Sequence, residues 1–286
     1  MIIAVSISKL KHCGSVSDIC ECIGQTRDAY YKYKRRQVKE IESFEKVVDM
    51  VNERRVDLPR EGARKLLEAL RDNFEQEGLK IGRDKLFTIL FAYGMLVKRK
   101  RSGIRTTNSY HHFHKYKNLI KNLKITKPNQ VWVCDITYIR LVKGFCYLAL
   151  VTDAYSRKIV GYDVSDTLEL AGCLGAFKLA QKTARPAVGL IHHSDRGSQY
   201  CSREYVEELL KHGVLLSMTE ENHCYENAMA ERVNGILKDE FFLDQCFLNL
   251  DLAKKACDNA IKIYNTKRLH LSLGYKTPEN VFKMRA

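Results

Sequence analysis

The period of the apolar pattern changes near residue 130. Before it, apolar residues recur at helical spacing: Ile19, Cys22 and Ile23; then Ala63, Leu66, Leu67 and Leu70; then Leu86, Phe87, Ile89 and Leu90. After it, VWVCDITYIR, FCYLALVTDAYS and KIVGYDVS are β-rich runs parted by short polar breaks, which predicts three consecutive antiparallel strands. Leu168 to Thr183 then predicts a helix with Leu170, Leu174, Phe177 and Leu179 on or near one side. Val188 to His192 predicts a fourth strand, Ser202 to His212 a helix, Val214 to Met218 a fifth strand and Asn227 to Phe242 a long helix. In the tail, Leu252 to Tyr264 predicts a helix, and Thr277-Pro278 is suited to cap and start a last short one.

The punctuation of the front half suggests two helix pairs. Gly24 parts two short helices within 17–36, with Thr26 placed to cap the second, which ends in Lys32, Lys34, Arg35 and Arg36. Pro59 is suited to open the first helix of a second pair, and Gly94 to close its last, about Arg83 to Ala92. Lys98, Arg99, Lys100 and Arg101 follow. A helix ending in basic residues after a short turn has the form of a helix-turn-helix, which would set Arg35, Arg36 and the 98–101 run against DNA. A solvated basic surface is the plainer alternative. The expected organisation is a helical region over 1–54, a second helix-turn-helix-like region over 55–101, a basic linker over 102–127 and a catalytic domain with a helical tail over 128–286. The order βββ-α-β-α-β-α is that of the ribonuclease-H-like fold, an α/β domain with a mixed five-stranded sheet flanked by helices.

Charge sharpens this division. The 286 residues carry a formal net charge of +14. Residues 1–130 hold 28 basic against 15 acidic side chains, and residues 131–286 hold 20 against 19. A basic front half beside a neutral back half suggests an anionic polymer as the partner of the front. The ten cysteines show no repeating spacing, and MIIAVSIS lacks the parts of a secretion signal, so a reduced, cytoplasmic protein is expected. His111, His112 and His114 lack a nearby Cys pair for zinc; this basic, aromatic stretch suits a phosphate backbone better.

The candidate chemistry lies in three acids. Asp135 falls mid-strand in VWVCDITYIR, Asp195 ends an apolar run in IHHSDRGSQY, and Glu231 lies on the helix of NAMAERVNGILKDE. Cleaving a phosphodiester requires an activated oxygen nucleophile and a stabilised leaving oxygen, which two Mg²⁺ ions supply when carboxylates hold them. Lys238 is two helical turns beyond Glu231 and shares its face, where a cation suits a substrate phosphate. Asp153 precedes a turn and is expected to bond its own backbone. Glu220, Glu221 and Glu226, in the loop before the last helix, have solvation as their plain reading. Lys267, Arg268 and His270 of the tail suit either DNA contact or packing on the core.

The blocks WVCDITYI, HHSDRGSQY, YENAMAE and YNTKRLHLSLGYKTPENVF, in this order and spacing, give the chain its resemblance to the OrfB-type transposases of the insertion-sequence-three family and, through them, to the retroviral integrase catalytic core. The resemblance covers nearly the whole length. It implies that Asp135, Asp195 and Glu231, the last two separated by 35 residues, form the acidic triad, and that Lys238 contacts the DNA end. It further implies two Mg²⁺ ions (Mn²⁺ as substitute), no covalent protein–DNA intermediate, a homo-oligomer on DNA and an OrfA-type partner or fusion. The expected activity is metal-dependent cleavage at element ends followed by transfer of the 3′ hydroxyl into target DNA. Glu226 departs from the family's frequent Asp, and Glu220 and Glu221 from its small or basic residues, which changes the charge of that loop. The competing readings are a catalytically silent DNA-binding regulator and a ribonuclease-H-like nuclease without strand transfer.

Overall fold

A computed structural model describes residues 15–98, 114–220 and 227–284. Contacts group the chain into two units, Met1–Arg54 with Leu70–Leu96 and Arg55–Ala69 with Val97–Ala286. The region expected over 55–101 is therefore divided, its first helix grouping with the sheet domain. The reason is visible at Lys65, whose ammonium pairs with Glu240 of that domain at 2.8 Å.

Among the described residues, five helices precede the sheet: α1 (Val16–Cys22), α2 (Arg27–Asp57), α3 (Ala63–Ala69), α4 (Arg71–Gln76) and α5 (Arg83–Ala92). Ser15 and Asp18 form a reciprocal capping box on α1. The Thr26 hydroxyl accepts the Ala29 N–H at 3.1 Å, the cap expected for α2. That helix continues for 31 residues instead of stopping near Arg36. No Gly or Pro falls between 27 and 57, so nothing in the chain interrupts it. Cys20 and Tyr30 are buried here, whereas Cys22 and Ile23 are exposed, contrary to expectation. Pro59 lies in a turn, and α3 opens only at Ala63. Helix α5 forms as expected, with Leu86, Ile89 and Leu90 buried and Gly94 stopping it at φ +66°.

The sheet domain orders its strands β3-β2-β1-β4-β5. Strands β1 (Val131–Leu141), β2 (Phe145–Asp153) and β3 (Ile159–Ser165) are antiparallel neighbours. Strands β4 (Ile191–Ser194) and β5 (Leu215–Met218) extend the sheet in parallel from β1. A sixth, two-residue strand, β6 (Cys246–Phe247), joins β1 at Arg140 and Leu141. Strand β4 begins at Ile191 and not Val188, because Gly189 turns the chain at φ +91°. This is the expected ribonuclease-H-like topology, with one short strand added.

Helices α6 (Leu170–Ala184), α7 (Ser198–Cys201), α8 (Arg203–Lys211), α9 (Ala228–Glu240), α10 (Leu250–Thr266) and α11 (Pro278–Lys283) complete it. The alternation of β1 sorts its side chains between two faces. Trp132 and Cys134 enter a core with Phe177 and Ala180 of α6, while Val131 and Val133 pack with Ala230 of α9. The buried side of α6 is made largely of small residues, Gly172, Cys173, Ala176 and Ala180, and Leu179 stays partly exposed. Small residues are required because α6 comes very close to β3: a Cβ on Gly161 would lie 2.2 Å from the Ala176 carbonyl oxygen. In the tail, Thr277 and Pro278 cap and open α11 as expected.

Candidate active site

The site forms where β4 stops short of β1. Their parallel register ends at Cys134 opposite Ser194, so Asp135 and Asp195 are the next residues on adjacent strands. Asp195 is held by a tight local turn: the Gly197 N–H donates to its Oδ1 at 3.0 Å, and the Ser194 hydroxyl donates to its carbonyl at 3.0 Å. Beyond this point side chains from the start of α9 replace the missing strand. Asn227 Nδ2 donates to the Cys134 carbonyl at 3.2 Å, and Asn234 Nδ2 donates to Asp135 Oδ2 at 2.8 Å. Asp135 shares the parity of Val131 and Val133, so the sheet alternation turns it toward this helix.

Asn227, Glu231, Asn234 and Lys238 follow one another at steps of four, three and four, one stripe along a helix. Burial, then the negative charge of Asp195 and, more weakly, that of Glu231 push the Asp135 carboxyl up to about 7, against the opposing Asn234 and Ile136 donors. Lys238 is half-buried; desolvation lowers its pKa while Asp135 and Asp244 hold it up. The structure therefore brings Asp195, Glu231 and Lys238 each within electrostatic reach of Asp135. Glu231 is exposed on the first turn of α9. Among the described residues, no group of three His, Cys, Asp or Glu side chains is assembled to hold a metal ion. Asp135 and Asp195 lie side by side at this sheet position, and Glu231 lies on the adjoining helix.

The remaining polar residues sort by partner. His192 is buried with its Nε2 at 2.9 Å from the Tyr205 hydroxyl, and burial pushes its pKa down to about 3, which keeps it neutral. His193 Nδ1 lies 2.8 Å from Ser217 Oγ, which also accepts the Leu119 N–H. Both histidines are core residues beneath the site. Asp153 accepts from Ser156 N–H, Ser156 O–H and Asn129 N–H, the backbone role expected for it. Glu220 is paired with Lys121 at 3.0 Å and not merely solvated. Arg268 and His270 are buried, so packing accounts for them, while Lys267 pairs with Asp57.

Arg35 and Arg36 are exposed on α2, and Arg36 lies over the Tyr33 ring. Lys98 is exposed, its carbonyl accepting from Arg60 at 2.7 Å. Arg99, Lys100, Arg101, Glu221 and Glu226 lie outside the described residues. Asn227 and Asn234 were not expected from sequence. Their signal is the four–three–four spacing with Glu231 and Lys238, since amides buried within that stripe require partners.

Comparison with known proteins identifies the family. An integrase core domain model matches residues 125–224, and a second integrase core domain model matches 212–278. The insertion element IS600 31 kDa protein of Shigella sonnei is 36% identical over 270 residues, covering 91% of this chain and 96% of that protein. The transposase for insertion sequence element IS629, also of Shigella sonnei, is 31% identical and covers 73% and 70%. Transposase InsF for insertion sequence IS3A of Escherichia coli is 27% identical and covers 93% of each. The chain belongs to the insertion-sequence-three transposases with an integrase-like core, enzymes of the polynucleotidyl transferase class that act in DNA transposition and integration.

Proposed function

We propose that the chain cleaves DNA at the ends of its element and transfers the exposed 3′ hydroxyl into target DNA, with Asp135, Asp195 and Glu231 as the essential acids. The observation that carries this is the placement of Asp135, within β1, beside Asp195, just past the end of the parallel neighbour β4, with Asp135 pushed up to about 7 by burial and by the negative charge of Asp195 and Glu231. Such a site suits a hard divalent cation, Mg²⁺ with Mn²⁺ as substitute, and two ions suit the chemistry. Held by the three carboxylates, the metal would supply an activated oxygen nucleophile and a stabilised leaving oxygen. Asn234 fixes the direction of Asp135, and the Gly197 N–H fixes that of Asp195. Lys238, cationic beside Asp135, takes a phosphate oxygen of the DNA end. In cleavage a water oxygen attacks the phosphorus and the 3′ oxygen leaves; in transfer that 3′ oxygen attacks a target phosphate and a target 3′ oxygen leaves.

The exposed Arg35, Arg36 and Lys98, with Arg99, Lys100 and Arg101, provide positive charge for DNA outside the site. The enzyme works in the cytoplasm as a homo-oligomer on DNA, with an OrfA-type partner or fusion. The test is incubation with oligonucleotides containing element ends and Mg²⁺. Joined products are expected. Cleaved ends without joining would make the chain a nuclease, and a gel shift alone would make it a silent DNA-binding regulator.

A further inference from the structure

Helix α2 buries one side and, among the described residues, leaves another exposed. Tyr30, Val47 and Val51 are its buried residues. Roughly a quarter to a third of a turn away runs a second stripe, Tyr31, Lys34, Val38, Ile41, Glu45 and Val48, spaced three, four, three, four and three. That is the heptad spacing of a helix-pairing seam. Tyr31, Val38 and Ile41 are 42%, 48% and 52% exposed in the middle of this helix. The charge along α2 is also divided. Residues 27–39 carry six basic side chains and one acidic, and residues 40–49 carry four acidic and one basic. Lys34, Glu42 and Glu45 form no ion pair among the described residues, unlike Lys32, paired with Asp28, and Lys46, paired with Glu77.

We infer that this stripe is a contact between two copies of the chain, with their α2 helices antiparallel. A two-fold axis passing between Lys39 and Glu40 sets Val38 on the partner's Ile41, Lys34 on the partner's Glu45 and Tyr31 on the partner's Val48. Every layer is apolar on apolar or opposite charge on opposite charge. A parallel pair would instead stack Lys34 on the partner's Lys34 and Glu45 on the partner's Glu45. The surface is therefore self-complementary in the sense a two-fold dimer requires, and in one orientation only. DNA as the occupant explains the basic half of the stripe and not the acidic half or the apolar centre.

The experiment is sedimentation equilibrium of the full-length chain without DNA, over a concentration series, with circular dichroism to verify equal helix content. The wild type is expected to self-associate, and Val38→Glu to abolish this. Lys34→Glu and Glu45→Lys each turn two attractive pairs into repulsive ones and are expected to weaken association on the order of tenfold. The double variant, which merely exchanges the charges, is expected to recover it, and so is an equimolar mixture of the two single variants. A wild type that stays monomeric throughout, single reversals without effect, or a double variant no better than the singles would overturn the contact. Loss of DNA binding with unchanged self-association would assign the stripe to DNA instead.

Discussion

Helix α9 carries a cluster of charge near each end, and the two are balanced in opposite ways. At the C-terminal end Glu240 is gripped by Arg268 through both carboxylate oxygens, at 2.8 and 2.6 Å, and by Lys65 at 2.8 Å. Burial alone would raise the Glu240 carboxyl, yet these two cations bring it below the usual range. Arg268 in turn reaches His270 Nε2 at 2.9 Å, and burial beside it pushes that imidazole down to about 3. Near the N-terminal end Asp135 accepts from neutral groups, the Asn234 amide and the Ile136 N–H, with two carboxylates close by and Lys238 one turn beyond Asn234. One helix thus separates a carboxylate that joins elements through ion pairs from one that forms no ion pair among the described residues. A buried acid supplied with cations holds structure together; a buried acid supplied with other acids is suited to a cation from solution.

The comparison breaks most sharply by removing charge at each end. Asp135→Asn, Asp195→Asn and Glu231→Gln are each expected to reduce cleavage of element-end DNA to background while the protein stays folded. Retained near-wild-type cleavage in any one of them removes that residue from the acidic triad. Glu240→Gln is expected to act on the fold, because it strands Lys65 and Arg268, both largely buried, without their anion. Breaking such a pair from one side costs about 3–5 kcal/mol, read as a lower midpoint in denaturant. Asp135→Asn should not show that loss, and equal losses for the two variants would refute the distinction.

The pH dependence of stability in metal-free protein should carry the same contrast. Asp135, raised to about 7, binds a proton more tightly folded than unfolded, so its contribution to stability falls as pH rises from about 4 to about 7. Glu240 has the opposite sign: its stabilisation is present above the unfolded pKa and is lost as pH falls through the depressed folded value. His270, lowered to about 3, adds stability as pH rises from about 3 to 6.5. Asp135→Asn should therefore flatten the decline toward neutrality, while Glu240→Gln should flatten the loss on the acid side. Urea denaturation across pH 3–8 in the presence of a chelator reads both, and an unchanged neutral limb in Asp135→Asn would contradict the burial argument.

Sequence reading reached the acids because each lies in a locally specified element. Period-two alternation fixed β1 around Asp135, and the Asp-Arg-Gly turn after a short apolar run fixed Asp195. It missed what depends on distant partners. Arg268 and His270 read equally well as DNA contacts in the sequence, whereas the fold neutralises the arginine with Glu240, 28 residues away. Leu179 fits the period of a buried α6 face, yet the close approach at Gly161 admits small residues there and leaves it partly exposed. The basic run of α2 has the look of a helix end, while the absence of Gly and Pro lets the helix continue to 31 residues. The division of 55–101 between two units rests on Lys65, whose ion pair spans 175 residues of sequence.

A smaller effect is expected from Lys238, whose proposed role is toward DNA and not metal. Lys238→Ala removes a cationic donor, a loss of about 1.5–3 kcal/mol, or roughly 10- to 150-fold in binding or rate. Mn²⁺ titration should show metal affinity retained, and crosslinking at the terminal bases should be lost. Lost metal affinity with a preserved crosslink would reverse the assignment.

The smallest effect should come from Asn234, which touches Asp135 and not the DNA. Partners that orient metal ligands are worth 10- to 100-fold, and Asn234→Ala is expected near the lower limit, roughly tenfold, because the Ile136 N–H still supports Asp135. Loss of rate alone would not separate this role from simple packing, since Asn234 is buried. The separating measurement is the pH–rate profile. Asn234 donates to the charged form of Asp135 and so holds its pKa down. Without that donor the acid limb of the profile should move to higher pH, and cleavage should recover part of its loss as pH rises. Asn234→Gln has the same amide at the wrong reach and should move the limb similarly. If Asn234→Ala lowers the rate by the same factor at every pH, the amide serves packing alone, and the charge of Asp135 is governed by burial and Asp195 without it.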